Sequence, residues 1–163
     1  MFLLMWACTG TEKESTIEES TPIEDSEVDP CERVEGATGT LALSFQMEPD
    51  FIPEMEEPPT GTFKGSVFSC EDASAIGPVD GAVSLLDIDV PVDLVPTNGE
   101  VTGVLHVTAA LPAERVWVLG CLDSDGNDCD KKDPITRPSE NTITVIPDAE
   151  TPLTVYFGML NPS

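Results

Sequence analysis

From Leu41 to Met159 apolar residues recur at every second position, and almost nowhere at the spacing of a helix. Leu41, Leu43, Phe45 and Met47 alternate with small or polar residues and predict a first strand. Phe63, Gly65 and Val67 share one face of the next, with Cys70 near its end. Asp80-Gly81 is a turn signal ahead of an apolar run from Ala82 to Val90. Val101, Gly103, Leu105 and Val107 alternate with Thr102, Val104, His106 and Thr108. Between Arg115 and Leu122, Val116 and Val118 take one face while Trp117, Leu119 and Cys121 take the other, which predicts a central strand. Ile143 and Val145, then Leu153, Val155, Phe157 and Met159, complete the set. About seven short strands, separated by Gly, Pro, Asp and Asn turns, predict an all-β domain over residues 38–163, an antiparallel β-sandwich.

Ahead of that domain the pattern changes. From Thr9 to Pro30 the only aliphatic residues are Ile17, Ile23 and Val28, and the acids Glu12, Glu14, Glu18, Glu19, Glu24, Asp25, Glu27 and Asp29 face one base, Lys13. Such a segment cannot bury enough apolar surface to offset its ordering entropy, and like charges keep it extended. Residues 8–37 are therefore expected to be a disordered acidic linker. A second Pro- and Glu-rich stretch, Glu48 to Gly61, is expected to be a loop.

Charge narrows the partners. The chain carries 31 Asp plus Glu against 7 Lys plus Arg, a net charge of −24. That field repels phosphate backbones and anionic headgroups, so nucleic-acid binding and basic membrane patches are excluded. Catalytic signatures are equally scarce. There is one histidine, His106, on a mostly polar strand face, and no Gly-x-Ser-x-Gly or Gly-x-x-x-x-Gly-Lys motif. A non-catalytic protein is expected.

Met1 to Ala7 is an apolar run ending in a small residue, followed at once by Cys8 and a polar segment. It is too short to span a bilayer, which takes about 20 residues. Residues 1–7 resemble the end of a bacterial lipoprotein signal peptide, either short or belonging to a longer leader. The resemblance implies cleavage after Ala7, acylation of Cys8, and attachment to a membrane through the lipid. Thr9, not Asp, follows the cysteine, which in that family implies the outer membrane of the cell envelope, on its periplasmic or surface face.

The folded region has its own resemblance. Gly61-Thr62-Phe63-Lys64-Gly65-Ser66-Val67, the Val116-Trp117-Val118 strand running into an Asp-rich loop, and the closing Ile143-Thr144-Val145 and Leu153-Thr154-Val155-Tyr156-Phe157 pair resemble transthyretin-like or immunoglobulin-like domains of secreted bacterial lipoproteins. The resemblance implies a domain that binds or presents, with an extracellular protein or glycan as partner.

With Cys8 lipidated, Cys31, Cys70, Cys121 and Cys129 remain, an even number suited to an oxidising compartment. Three pairings can be drawn. The preferred one joins Cys121 to Cys129 around the acidic loop and Cys31 to Cys70 between linker and domain. No Cys-x-x-Cys occurs, so a zinc site is not expected.

One segment concentrates chemistry. Leu122 to Pro134 carries Asp123, Asp125, Asn127, Asp128, Asp130 and Asp133 around Gly126. Ca²⁺ takes six to eight oxygens, and alternate positions of a tight loop converge on one point. Asp123, Asp125, Asn127, Asp130 and Asp133 are the candidate ligands. The spacing is not that of an EF-hand, since Cys121 and Lys132 fall where its first and last ligands belong. The same residues also suit a plain hairpin turn, with Lys131 and Lys132 relieving the repulsion. Two readings follow: a lipid-anchored envelope domain, or a Ca²⁺-dependent carbohydrate- or protein-binding module.

Overall fold

The computed structural model describes residues 31–48, 60–97, 100–102, 106–131 and 133–161. The leader at 1–7, the lipidation candidate Cys8, the linker up to Pro30 and most of the loop at 48–61 lie outside the described residues.

The chain is all-β, as its period-two pattern predicts. In order, the strands are β1 (Thr38–Met47), β2 (Thr60–Ser69), β3 (Ala73–Ser74), β4 (Gly77–Pro78), β5 (Ser84–Asp93), β6 (Val95–Thr97) and β7 (Glu100–Thr102), then β8 (His106–Val107), β9 (Leu111–Pro112), β10 (Arg115–Asp123), β11 (Pro134–Thr136), β12 (Thr142–Thr144) and β13 (Glu150–Leu160). Eleven of them form one sheet in the order β5-β2-β10-β11-β13-β1-β7-β6, with β12 on β10 and β8 and β9 on β1; β3 and β4 make a separate hairpin.

Two features depart from the expected seven-stranded antiparallel sandwich. First, β1 and β13 run parallel, in register from Thr40↔Glu150 to Met47↔Phe157. Their inward faces, Leu41, Leu43, Phe45 and Met47 against Leu153, Val155 and Phe157, bury as one apolar wall whichever way the strands run. Second, a single mixed sheet curls on itself. β5 ends at Asp93 and β6 begins at Val95, so one residue links the two edges of the sheet. Phe63 of β2 meets Phe45 of β1 with ring centroids 5.1 Å apart and Phe157 of β13 at 5.9 Å, although β10, β11 and β13 separate β2 from β1 along the sheet. The core closes around these three rings, as in a flattened barrel.

β10 is central, as both of its apolar faces predict. Val116, Val118 and Leu122 point into the core. On the outer face Trp117 and Leu119 pack with Phe68 and Ala73, so the small β3–β4 hairpin covers part of what would otherwise be an exposed sheet face. Of the strand expected at Val101–Val107, the described residues show β7 up to Thr102 and β8 from His106, both pairing antiparallel with β1, while 103–105 lie outside the described residues.

The final stretch of the segment read as linker is bonded to the domain. Cys31 is joined to Cys70, just past the end of β2, with Cα atoms 5.3 Å apart. Arg33 forks onto Glu114, Nε to Oε2 at 2.5 Å and Nη2 to Oε1 at 3.1 Å, and the Val34 N–H donates to the Ala113 carbonyl.

Candidate functional site

β10 delivers Asp123 at its end, and Asp133 stands just before β11. Between them the chain makes a tight loop, possible because Gly126 and Asp128 both adopt left-handed backbone, with φ of 79° and 73°. Asp tolerates that region better than most residues because its short side chain can bond locally. The preferred disulfide is present here: Cys121 and Cys129 are joined across the loop, Cα atoms 5.9 Å apart.

Two buried carboxylates shape the loop from within. Asp123, 4% exposed, accepts the Gly126 N–H on Oδ1 at 2.7 Å. Asp133, 1% exposed, accepts the Ser124 N–H and hydroxyl on Oδ1 and the Asp130 N–H on Oδ2. Each of the two carboxylates therefore satisfies backbone donors that the turn would leave unpaired. Asn161, just beyond β13, donates its side-chain amide to the Cys129 carbonyl and its N–H to the Asp133 carbonyl, fixing the loop to the C-terminal strand.

Of the five candidate ligands, the structure brings three together. Carboxylate oxygens of Asp123, Asp125 and Asp133 lie within 4.8 Å of one another. Asn127 and Asp130 stand to one side, where Asn127 Nδ2 donates to Asp125 Oδ2 at 2.8 Å and to Asp130 Oδ2 at 3.3 Å. Three oxygen donors at this spacing suit a hard cation that completes its shell with water or carbonyls.

A cation is also built into the site. Lys64, in the middle of β2, places Nζ 2.7 Å from Asp123 Oδ2 and 2.6 Å from Asp128 Oδ1. Hydrogen bonding to Lys64, and next the Gly126 N–H, hold the Asp123 carboxyl below the usual carboxylate range against the opposing effect of burial. The same two acids, Asp123 foremost, push the Lys64 ammonium upward. Lys64 escapes a reading of the loop alone. Its contribution depends on β2 pairing with β10, where Lys64 faces Cys121 and so lies diagonal to Asp123. A lone Lys among apolar and small residues at Phe63-Lys64-Gly65 was the one available signal.

No family model, curated protein or solved structure matches the chain.

Proposed function

We propose that the chain is a non-catalytic lipoprotein of the cell envelope, anchored to the outer membrane through lipid on Cys8 and presenting a disulfide-stapled β-domain at the end of an acidic linker. The observation that carries this reading is the Cys31–Cys70 bond. It ties the point where the linker meets the domain to the end of a ten-residue core strand. Tension on an anchor would pass covalently into the sheet, bypassing the hydrogen bonds at the start of β1. Two disulfides also suit an oxidising compartment, where such bonds persist. Among the described residues no helix is long and apolar enough to cross a membrane.

The reading is tested by growing cells with labelled palmitate and fractionating them. The wild-type chain is expected to carry label and sediment with outer membranes, and Cys8→Ser to lose both properties. Sedimentation of Cys8→Ser at the wild-type level would refute the anchor.

A second reading is favoured by the convergence of Asp123, Asp125 and Asp133. These three would hold Ca²⁺ and make the loop the Ca²⁺-dependent contact for an extracellular protein or glycan. Lys64 and the cation would then compete for the Asp123 carboxylate, so the site would load more readily with Lys64 neutralised.

A further inference from the structure

The outer face of the sheet carries a continuous depression in two halves, the first of which borders Lys64 and so adjoins the acidic loop that Lys64 contacts. The first, of about 630 Å³, lies over β5, β2 and β10 and is bordered by Asp87, Asp89, Phe68 and Leu119. The second, of about 360 Å³, lies over β10, β11 and β13 and is walled by Ile76, Ile135 and Met159. Pro78, Leu119 and Gly120 line both, so the halves are contiguous beneath the β3–β4 hairpin. The groove crosses five neighbouring strands, roughly 19 Å at the usual strand spacing.

The two halves differ in chemistry. At the β13 end the lining is apolar, with Ile76 96% exposed at the hairpin tip and Met159 40% exposed. At the β5 end, Asp87 and Asp89 stand on the exposed face of β5, alternating with Ile88 and Val90 in the core. Lys64 faces Asp89 in register, but its ammonium is engaged by Asp123 and Asp128. The acids at this end therefore lack a cation of their own among the described residues. Gly65 and Gly120 oppose each other across β2 and β10 and line the floor with backbone, the side chains they lack being on the core side against the Phe63 ring.

We infer that this groove binds an extended segment of another protein, about six residues long, with basic side chains at one end and apolar side chains at the other. Lys or Arg lies against Asp87 and Asp89, and aliphatic or aromatic residues fill the space between Ile76, Leu119 and Met159. Charge complementarity selects the basic end in a chain of net charge −24. A sugar is the poorer occupant, because Trp117 is 8% exposed and borders neither half. The inference does not depend on anchoring, which stands or falls on Cys8.

The test uses the full, oxidised chain in 150 mM salt and a fluorescent, end-capped hexapeptide of three lysines followed by three leucines. Two controls replace the leucines by serines or the lysines by glutamates. The lysine–leucine peptide is expected to bind at least about tenfold more tightly than either control, shifting the amide resonances of Gly65, Leu119 and Gly120. Asp87→Asn, Asp89→Asn and Ile76→Ser, all at exposed positions, should each weaken it about three- to fivefold, while Glu150→Gln at the far end of β13 should not. Equal binding of the lysine–serine peptide, shifts confined to residues 123–131, or no binding of the lysine–leucine peptide would overturn the proposal.

Discussion

Lys64 and Asp123 sit on neighbouring strands, one diagonal step out of register, and bring ammonium and carboxylate to 2.7 Å beside a loop crowded with acids. The pH dependence of the pair follows from the two directions. Asp123 ionises below its ordinary 3.8, so its contribution is present above that value and is lost as pH falls through the depressed one. Lys64 is raised above its ordinary 10.5, so its contribution is present below that value and is lost as pH rises through the raised one. Between those limits the pair holds the loop. Lys64→Met should lower the denaturation midpoint at pH 7 and return the Asp123 carboxyl toward or above 3.8, read by carbon-detected titration. Wild type and variant should converge in stability once Asp123 is protonated. A gap that persists unchanged in strong acid would mean that Lys64 acts by packing alone.

Phe63 depends on two residues without side chains. A Cβ on Gly65 would meet the Phe63 ring and the Leu119 carbonyl; one on Gly120 would meet the same ring and the backbone of Lys64 and Gly65. Backbone atoms cannot yield as a side chain can, so Gly120→Ala should cost about 1–3 kcal/mol, outweighing any gain in strand propensity. Phe63→Ala should cost about 3–5 kcal/mol. The two should be coupled: in a Phe63→Ala background Gly120→Ala should cost clearly less, measured by urea unfolding of the double-mutant cycle. Additive losses would show that the backbone contact, not the ring, excludes the side chain.

The strands with one buried face were legible because alternation reports burial directly. β1 and β13 each carry an apolar row facing the Phe45–Phe63–Phe157 cluster, while β10 is recognisable by apolar residues on both faces. Strand direction was not legible, because Leu43 opposite Leu153 buries the same area in a parallel or an antiparallel pair. The β3–β4 hairpin also escaped notice, since Ala73 to Pro78 is too short to alternate. The acidic loop is visible as composition, and a Cys121–Cys129 bond is legible as the pairing that closes it. What composition could not reveal was division of labour: Asp133 and Asp123 serve backbone donors, and the balancing charge comes from 59 residues away on another strand, Lys64 to Asp123 being 123 − 64.

Asn141 does the work of a strand that ends too early. It is fully buried, donates to the Arg137 and Tyr156 carbonyls and accepts the Tyr156 N–H at 2.8 Å. Asn141→Ala would take this acceptor from the Tyr156 N–H and one of two donors from each of the Arg137 and Tyr156 carbonyls, and should cost about 1–3 kcal/mol. Asn141→Asp should be worse near neutral pH, because an anion would face two carbonyls, and should recover partly in acid where the carboxyl can donate. Thermal melts at pH 7 and pH 4 check both. An Asp variant as stable as Ala at pH 7 would show that water reaches the position.

The Ca²⁺ reading makes a separate claim on the loop. Melts of the oxidised chain in EGTA and then in millimolar Ca²⁺ should show stabilisation of about 2.7 kcal/mol at a hundredfold excess over Kd, several degrees for a domain of this size. Asp125→Asn should abolish the shift with little effect on the EGTA melt, because Asp125 is exposed and, among the described residues, accepts hydrogen bonds from Asn127 alone. Lys64→Met should enlarge it by releasing Asp123. A flat response in all three would retire the metal and leave Lys64 as the loop's cation.

At the other end of the domain, Cys31–Cys70 and Arg33–Glu114 hold the chain where the acidic segment joins it. The bond closes a 39-residue separation, and in the chain-entropy model its loss costs about 4 kcal/mol, against about 2.5 kcal/mol for the short Cys121–Cys129 loop. Glu114 is 3% exposed, so removing Arg33 leaves a buried carboxylate without its ion-pair partner. Limited proteolysis separates covalent from ionic restraint. In the wild-type chain cleavage should stop short of Cys31. The Cys31→Ser/Cys70→Ser pair should leave residues 31–37 resistant, held by Arg33 and the Val34–Ala113 hydrogen bond, at a lower denaturation midpoint. Adding Arg33→Gln should let the protease advance toward Thr38, where β1 begins. If the disulfide-free chain is already cut up to Thr38, the bond alone fixes the junction and the ion pair forms only in its presence.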